Sequence, residues 1–145
     1  MARIKISEPE KYIFSTELEI RISDINYGGH LGNDRVLLLA HEARIRFLKK
    51  LGYSENNIET LGIIMTDAAV IYKSEGFLGD TINIEIGISE ISGLGFDLIY
   101  SMKNITSGKM LALVKTGVVF FDYNSRKMKP VPNEFIRSFS RLENS

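Results

Sequence analysis

The sequence predicts an α+β fold in which one long central helix is wrapped by a mostly antiparallel five-stranded sheet. Two observations lead to this class. One amphipathic helical segment runs from about residue 33 to residue 51, and strand-like alternation of apolar residues recurs on both sides of it. A helix with a wide apolar face needs a sheet to cover it. The predicted strands are residues 12–22, 62–72, 81–91, 96–103 and 110–123.

The strand assignments depend on alternation and on turn residues at the strand ends. Residues 81–91 are the clearest case, because every second residue places an isoleucine on one face: Ile82, Ile84, Ile86 and Ile88. A Gly-Asp turn at 79–80 precedes this strand, and a hairpin-type turn at 106–109 follows the next one. These punctuated, alternating segments predict neighbouring antiparallel strands.

The last strand and the segment after it carry further signals. Gly117 lies inside the predicted strand 110–123 and predicts a bulge or a close backbone approach. Pro130 and Pro132 end the sheet region, because proline cannot donate a backbone hydrogen bond. Residues 132–139 are predicted to form a short helix.

The central helix has predicted ends and one unusual residue. Asn33 or Asp34 is the predicted N-cap, and Gly52 fits the position just after the C-terminus. Arg44 falls within the apolar face of the helix. A buried guanidinium needs a partner, so we expect an ion pair with Asp24 on the preceding turn.

Composition sets limits on the class of protein. The 145 residues predict one domain over 1–145, with its core at about 12–136. Basic and acidic residues number 18 each, which argues against a nucleic-acid binder. With no cysteine and two separated histidines, we expect no metal site. The N-terminus lacks an apolar signal segment and no apolar run spans a bilayer, so we expect a cytoplasmic protein without a membrane partner.

The segment 23–44 brings several reactive and polar groups to one junction. It contains turn glycines at 28, 29 and 32, together with His30, a helix start and Glu42. Unpaired backbone N–H groups at a helix N-terminus polarise a carbonyl and stabilise an oxyanion, and glycine lets a substrate approach the backbone. A carboxylate in such a site acts as a base toward water or as a nucleophile. The combination indicates acyl-transfer chemistry.

Glu42 is too far from the turn to share its site within one chain. It lies about 13 Å along the helix axis, at about 1.5 Å per residue. Across a dimer interface it would face the partner's turn. Structural roles explain the same residues equally well: an i,i+4 pair between Glu42 and Arg46, a turn anchor at His30 and a helix cap at Asn33.

Three motifs stand in order along this segment: Asp24-Ile25-Asn26, Gly29-His30-Leu31 followed by Gly32-Asn33, and Glu42-Ala43-Arg44. In this order they resemble the hotdog-fold acyl-CoA thioesterases, the 4-hydroxybenzoyl-CoA thioesterase-like group. Tyr72 before Gly79-Asp80, and Asp122 before the prolines, extend the resemblance over about residues 12–136. It implies a hotdog fold, thioester hydrolysis without a cofactor, and at least a dimer.

The sequence departs from that family at one position. Asn26 stands where the benzoyl-CoA and short-chain members carry the catalytic Asp, and an amide is neither base nor nucleophile. Three alternatives stay open. Catalysis moves to Glu42, in line with a similarity to plant acyl-carrier-protein thioesterases at His30, Asn33 and Glu42. Otherwise Asp24 is the base and Asn26 orients water, or the protein binds acyl thioesters without hydrolysing them.

We therefore predict an acyl-CoA thioesterase. The candidate catalytic residues are Glu42, His30, Asn26 and Asp24, and the candidate substrate-binding residues are Gly29, Gly32 and Asn33. The expected partners are an acyl-CoA or acyl-carrier-protein thioester and further copies of the chain, as a homodimer or a dimer of dimers. A non-catalytic acyl-thioester-binding protein is the alternative. An enoyl-thioester hydratase or dehydratase is disfavoured, because the Asp-x4-His and His-x-Phe-Pro motifs typical of those enzymes are missing.

Overall fold

A computed structural model describes residues 1–144, and within that range it contains six β-strands and two α-helices. In chain order these are β1 (Phe14–Glu19), α1 (Asn33–Lys50), β2 (Gly62–Tyr72), β3 (Thr81–Ser89), β4 (Gly95–Asn104), β5 (Lys109–Asp122), β6 (Lys127–Lys129) and α2 (Asn133–Glu143). The predicted α+β class is confirmed. The first strand is shorter than predicted, and α2 extends past the short helix expected at 132–139.

The strands form one antiparallel sheet in the order β1-β3-β4-β5-β2, and β6 pairs with β5. The structure thus adds a sixth strand to the five that were predicted. This strand has three residues. Such a segment is too short for alternation to show, because a period of two needs several repeats.

The helix α1 lies across the inner face of the sheet and presents its apolar side to it. Its buried residues are Val36, Leu39, Ala40, Ala43, Arg44, Phe47 and Leu48. On the sheet, Ile82, Ile84 and Ile86 are fully buried in the same core, as their alternation predicted. Gly52 has a φ of 88° just beyond the helix, which confirms the predicted stop. No helix within residues 1–144 is long and apolar enough to cross a membrane.

The predicted ion pair between Arg44 and Asp24 is wrong. The Arg44 Nε donates to Oε2 of Glu55 over 2.9 Å, and Nη1 donates to the Tyr100 hydroxyl over 3.0 Å. Arg44 lies roughly 16 Å along the axis from the start of α1, beyond the reach of Asp24. The loop after α1 supplies the carboxylate instead. Glu55 also binds His41 Nε2 at 2.7 Å, a partner that the sequence did not indicate.

Tyr100 continues this network into the sheet. Its hydroxyl lies 2.9 Å from Oγ1 of Thr116, and both side chains are buried. Burial raises the pKa of the Tyr100 hydroxyl, with Arg44 opposing that rise. The neutral hydroxyl accepts from Arg44 and links the helix to two central strands, so the buried guanidinium has the partners that its burial requires.

Gly117 lies where strands β2 and β5 come unusually close, as predicted. The pairing register shifts between Met65 and Asp67, opposite Gly117. A Cβ added at Gly117 would lie 2.5 Å from Oδ1 of Asp67 and 2.6 Å from Oγ1 of Thr66. Instead, the Gly117 N–H donates to that Asp67 oxygen over 3.0 Å, and Lys115 Nζ binds it at 2.7 Å. The irregularity therefore depends on a residue without a side chain.

The first residues of the chain form an arm that crosses the outer face of the sheet, opposite α1. The Ile13 N–H donates to the carbonyl of Ile86 over 2.8 Å, and a Cβ added at Gly87 would overlap the ring of Pro9. Ile4 and Ile6 lie over this face and border a cavity together with Ile99, which is 1% exposed. The arm thus lies over Gly87 of β3 and Ile99 of β4.

Candidate active site

A cavity of about 320 Å³ opens at the N-terminal end of α1. The turn before α1, the first turn of α1, the end of β2 and the loop after β2 form its walls. The lining residues are Asn26, His30, Leu31, Asn33, Val36, Tyr72, Ser74, Glu75, Gly76 and Leu111. Asn26, His30 and Asn33 are among the predicted site residues, so the structure brings these three together.

The turn before α1 is fixed by its own backbone. The Asn26 N–H donates to the carbonyl of His30 over 2.9 Å, and the Gly29 N–H donates to the carbonyl of Asn26 over 3.1 Å. Gly29 has a φ of 83°, in the left-handed region that favours glycine. It is not among the residues that line the cavity. The structure gives Gly29 a role in the turn, and its contact with substrate stays a prediction.

The start of α1 is one or two residues earlier than the sequence predicted. Gly32 is the N-cap and Asn33 is already helical, so the expected cap at Asn33 or Asp34 is wrong. The Gly32 N–H donates to the carbonyl of Asp24 over 3.0 Å, and this bond turns the chain into the helix. No side chain caps the helix. Within residues 1–144 the backbone N–H groups of Asn33 and Asp34 have no acceptor, which leaves two donors at the cavity end of α1.

The side chain of Asn26 is held with its amide nitrogen free. Its Oδ1 accepts the Gly28 N–H over 2.9 Å, which fixes the orientation of the amide. Its Nδ2 makes no hydrogen bond in the part of the chain that the structure describes. This nitrogen is therefore a further donor in the cavity. The amide that replaces the expected carboxylate has the chemistry to bind an oxygen atom of a ligand.

His30 faces a carboxylate that the sequence did not indicate. Its Nε2 lies 3.9 Å from Oε1 of Glu75, and its Nδ1 lies 3.4 Å from the carbonyl oxygen of Leu31. Tyr72 borders the same cavity and donates from its hydroxyl to the carbonyl of Asn33 over 3.1 Å. The site thus combines an imidazole, a carboxylate, an amide and the start of a helix.

A match to a protein family covers most of this architecture. Residues 20–139 match the family model described as the thioesterase-like superfamily. The chain belongs to this superfamily. The resemblance found in the sequence is therefore confirmed. No curated protein matches the sequence of this thioesterase-like chain.

Solved structures of similar fold include named thioesterases. A 1,4-dihydroxy-2-naphthoyl-CoA thioesterase from Synechocystis has a TM-score of 0.81 and 22% identity, over 90% of this chain and 97% of its own. A gentisyl-coenzyme A thioesterase has a TM-score of 0.77 and 18% identity, over 87% and 99%. A protein from Staphylococcus aureus in complex with CoA has a TM-score of 0.81 and 13% identity, over 97% and 89%. Because all three sequence identities are below 25%, the structural similarity shows the fold alone, which is the hotdog fold.

The two carboxylates predicted from the sequence lie outside the cavity of this thioesterase-like chain. Asp24 is buried, and its Oδ2 accepts the Arg21 N–H over 2.9 Å. Glu42 binds Arg46 at 2.6 Å, and Arg46 also donates to Thr16 of β1. Asp24 and Glu42 both line a separate depression of about 120 Å³. Their catalytic roles stay predictions.

Three polar residues of the cavity were not predicted as site residues from the sequence. Tyr72 is the last residue of β2, and Ser74 and Glu75 lie in the loop after it. Tyr72 was noted as part of the family resemblance but not as a site residue, and no local motif marks Ser74 or Glu75. A tertiary contact sets the position of this loop: the Leu31 N–H donates to the carbonyl of Gly76 over 2.8 Å. Within residues 1–144 there is no cluster of three or more His, Cys, Asp or Glu able to hold a metal ion.

Proposed function

We propose that this protein hydrolyses acyl-CoA thioesters to a free acid and CoA thiol. Membership of the thioesterase-like superfamily supports this reaction. So does the fold, which it shares with 1,4-dihydroxy-2-naphthoyl-CoA and gentisyl-CoA thioesterases. The choice between CoA and acyl carrier protein as the thiol carrier is part of the proposal, and CoA is favoured by a structure of the same fold in complex with CoA.

The observation that carries the proposal is the set of free donors at the start of α1. The backbone N–H groups of Asn33 and Asp34 have no acceptor within residues 1–144, and Asn26 Nδ2 is free beside them. Hydrolysis of a thioester passes through a tetrahedral intermediate whose oxygen is negative. Donors fixed at a helix N-terminus stabilise that oxyanion more than the neutral carbonyl, which lowers the barrier.

The predicted site residues take defined roles in this mechanism. Asn26 and the backbone amide of Asn33 bind the oxyanion, and Gly32 keeps the helix start free of a side chain. His30 orients the attacking water. The base is a carboxylate, for which the sequence suggested Glu42 or Asp24. Each would need a second subunit to bring it to the cavity, since neither lines it within one chain.

A second copy of the chain pairs with β2 in this proposal. Within residues 1–144, β2 is an 11-residue strand at the sheet edge with one side unpaired. Ile64, Ala68 and Tyr72 are among its exposed residues, and the unpaired backbone of an edge strand is a template for another chain. β1, at the other edge, is shorter and carries exposed Glu17 and Glu19. Tyr72 ends β2 and lines the cavity, so a partner on β2 lies against its open side.

A dimer through β2 would keep Glu42 away from the interface. Glu42 is anchored through Arg46 to Thr16 on β1, at the opposite edge of the sheet. This placement weakens the case for catalysis by Glu42 across that interface. The homodimer, the alternative dimer of dimers, the cytoplasmic location and the single domain over residues 1–145 all stay predictions.

A non-catalytic acyl-thioester-binding protein is the second candidate. The amide at Asn26 favours it, because the carboxylate that the benzoyl-CoA and short-chain members carry at this position is missing. An enoyl-thioester hydratase or dehydratase has weaker support, since no feature of the cavity favours water addition to a double bond.

The experiment is a thiol-release assay on a panel of acetyl-, hexanoyl-, palmitoyl- and benzoyl-CoA, with binding of each ester measured in parallel by calorimetry. The expected result is catalytic release of CoA from at least one ester. Binding without release would contradict the enzyme proposal and support the binding protein. A crotonyl-CoA hydration assay tests the third candidate. Comparing the rates on the CoA ester and on the acyl-carrier-protein ester of the preferred acyl group distinguishes the two thiol carriers.

A further inference from the structure

His30 and Glu75 face each other across the cavity at the start of α1. The distance from His30 Nε2 to Glu75 Oε1 is 3.9 Å, which is too long for a hydrogen bond. At a water–acceptor distance of about 2.8 Å, one water molecule reaches both atoms with an angle of about 90° at its oxygen. The gap therefore has the size that a single bridging water needs.

The loops that carry these two side chains are tied to each other. The Leu31 N–H donates to the carbonyl of Gly76, so the residue after His30 binds the residue after Glu75. Gly76 is buried, and a Cβ added there would lie 2.6 Å from Cδ1 of Ile20. The backbone on both sides of the gap is thus held against the core, although the Glu75 side chain itself is 63% exposed.

Glu75 is the sole Asp or Glu among the described residues that line this cavity. It shares the cavity with Asn26 and with Asn33 at the helix start, where the free donors lie. A base must lie within one water of the carbonyl carbon that these donors polarise. Asp24 and Glu42 line a different depression of the same chain. Of the three carboxylates, Glu75 is thus the one that lines the same cavity as the donors.

We propose that Glu75 is the general base of this protein, acting on a water that His30 helps to hold. The inference rests on the proposed thioester hydrolysis. The water oxygen attacks the carbonyl carbon while one water proton moves to the Glu75 carboxylate. The carbonyl electron pair moves to the oxygen, which the donors at Asn26 and Asn33 bind. The pair then returns, the carbon–sulfur bond breaks, and the thiolate takes the proton from Glu75.

The surroundings of His30 fit this division of roles. Its Nδ1 lies 3.4 Å from the carbonyl oxygen of Leu31. A proton on Nδ1 is directed to that oxygen, which leaves Nε2 as an acceptor toward the water. His30 then holds one hydrogen of the water while Glu75 receives the other. His30 orients the nucleophile and does not need to change its charge.

The test compares Glu75→Gln with the unsubstituted protein on the acyl-CoA ester that the panel identifies as the best substrate. Gln keeps the size and the hydrogen-bonding oxygen of the side chain but removes the base. We expect kcat to fall about 100-fold or more, with KM and the thermal midpoint nearly unchanged. Glu75→Asp keeps a carboxylate at a shorter reach and is expected to retain more activity than Glu75→Gln.

The matched control is Glu17→Gln, because Glu17 is an exposed carboxylate on β1 whose side chain makes no hydrogen bond or ion pair in the described part of the chain. Its activity should equal that of the unsubstituted protein. The double variant Glu75→Gln with His30→Gln should lose little more than the worse single variant, since both act on one water.

Two results would overturn the assignment while leaving thioester hydrolysis intact. One is an active Glu75→Gln protein with kcat within about 3-fold of the original. The other is a larger loss in Glu42→Gln than in Glu75→Gln. If the unsubstituted protein releases no thiol from any ester, the proposed function fails, and the role of Glu75 fails with it. That failure is recognised before any variant is compared.

Discussion

The backbone N–H of Leu31 donates to the carbonyl of Gly76 over 2.8 Å, and this bond joins the turn before α1 to the loop after β2. The two loops supply most of the polar side chains in the cavity, including His30 and Glu75. Gly76 can approach Leu31 because it has no side chain: an added Cβ would lie 2.6 Å from Cδ1 of Ile20. One glycine therefore determines how the two halves of the site meet.

Substituting Gly76→Ala should separate these halves. The new methyl group contacts Ile20, so the loop moves away from Leu31, and a small misplacement of Glu75 is expected to lower kcat about 10-fold. Steady-state kinetics with a thermal melt measures both effects. Adding Ile20→Val removes the contacting Cδ1 and should restore part of the activity. Equal activity in Gly76→Ala and the unsubstituted protein would show that the contact does not position the site.

Asn26 should act as a hydrogen-bond donor and not as a substitute for the family's carboxylate. Asn26→Ala and Asn26→Asp are both expected to lower kcat about 100-fold, because each removes the Nδ2 donor and the Asp adds a charge beside the oxyanion. Asn56→Asp is the control, since Asp keeps the oxygen that accepts from Ser54. A kcat above that of the unsubstituted protein in Asn26→Asp would contradict the donor role.

The buried network of Arg44 should contribute far more to stability than the more exposed pair of Arg46 with Glu42, two residues along the helix. Arg44→Met removes the guanidinium that Glu55 and Tyr100 both bind. The Arg44 side chain is 7% exposed, so we expect the free energy of unfolding to fall by about 3 kcal/mol. Arg46→Met breaks a pair whose side chains are 40% and 39% exposed, and the expected loss is about 1 kcal/mol or less. Urea unfolding measures both. Similar losses in the two variants would refute the difference.

Gly95 should tolerate no side chain. An added Cβ would overlap the backbone carbonyl of Val118 on the paired strand, and a backbone atom cannot rotate away. Gly95→Ala is expected to lower the free energy of unfolding by about 2 kcal/mol or more. At Gly93, nothing lies within 4 Å of an added Cβ. Gly93→Ala should therefore change the free energy of unfolding by about 0.5 kcal/mol or less. Comparable unfolding curves for the two variants would contradict the overlap.

The carboxyl of Asp67 should titrate below its ordinary range. The hydrogen bond from Lys115 holds the pKa of Asp67 down, with the Gly117 N–H adding to the effect. A lowered folded-state pKa gives stability that is present above the unfolded value of about 3.9 and is lost as the pH falls through the folded value. The contribution is small, because the side chain is 61% exposed.

A carbon-13 NMR titration of the carboxyl groups tests this assignment. Lys115→Met should raise the pKa of Asp67 toward its ordinary value. Asp122 provides the internal control, since the Asn124 N–H in its own turn lowers the pKa of that carboxyl. A shift of both carboxyls in Lys115→Met would indicate a general change in the fold.

Local patterns in the sequence predict most of the fold and half of the site. The isoleucines of β3 and the stop at Gly52 follow from spacing within a few residues, and Asn26, His30 and Asn33 lie together because they are neighbours in the chain. The rest depends on distant segments, which periodicity does not reveal. Glu75 reaches His30 through a hydrogen bond between two loops, and Arg44 finds its carboxylate on the loop after α1, not before it.

The arm over the outer face of the sheet has a practical consequence. Pro9 lies against Gly87 on the side of the sheet opposite α1, whereas the cavity opens at the start of α1. The arm and the cavity are thus on opposite faces of the sheet. A fluorophore or a surface anchor attached to this arm therefore leaves the cavity open to substrate, and the immobilised protein presents the cavity to the solution.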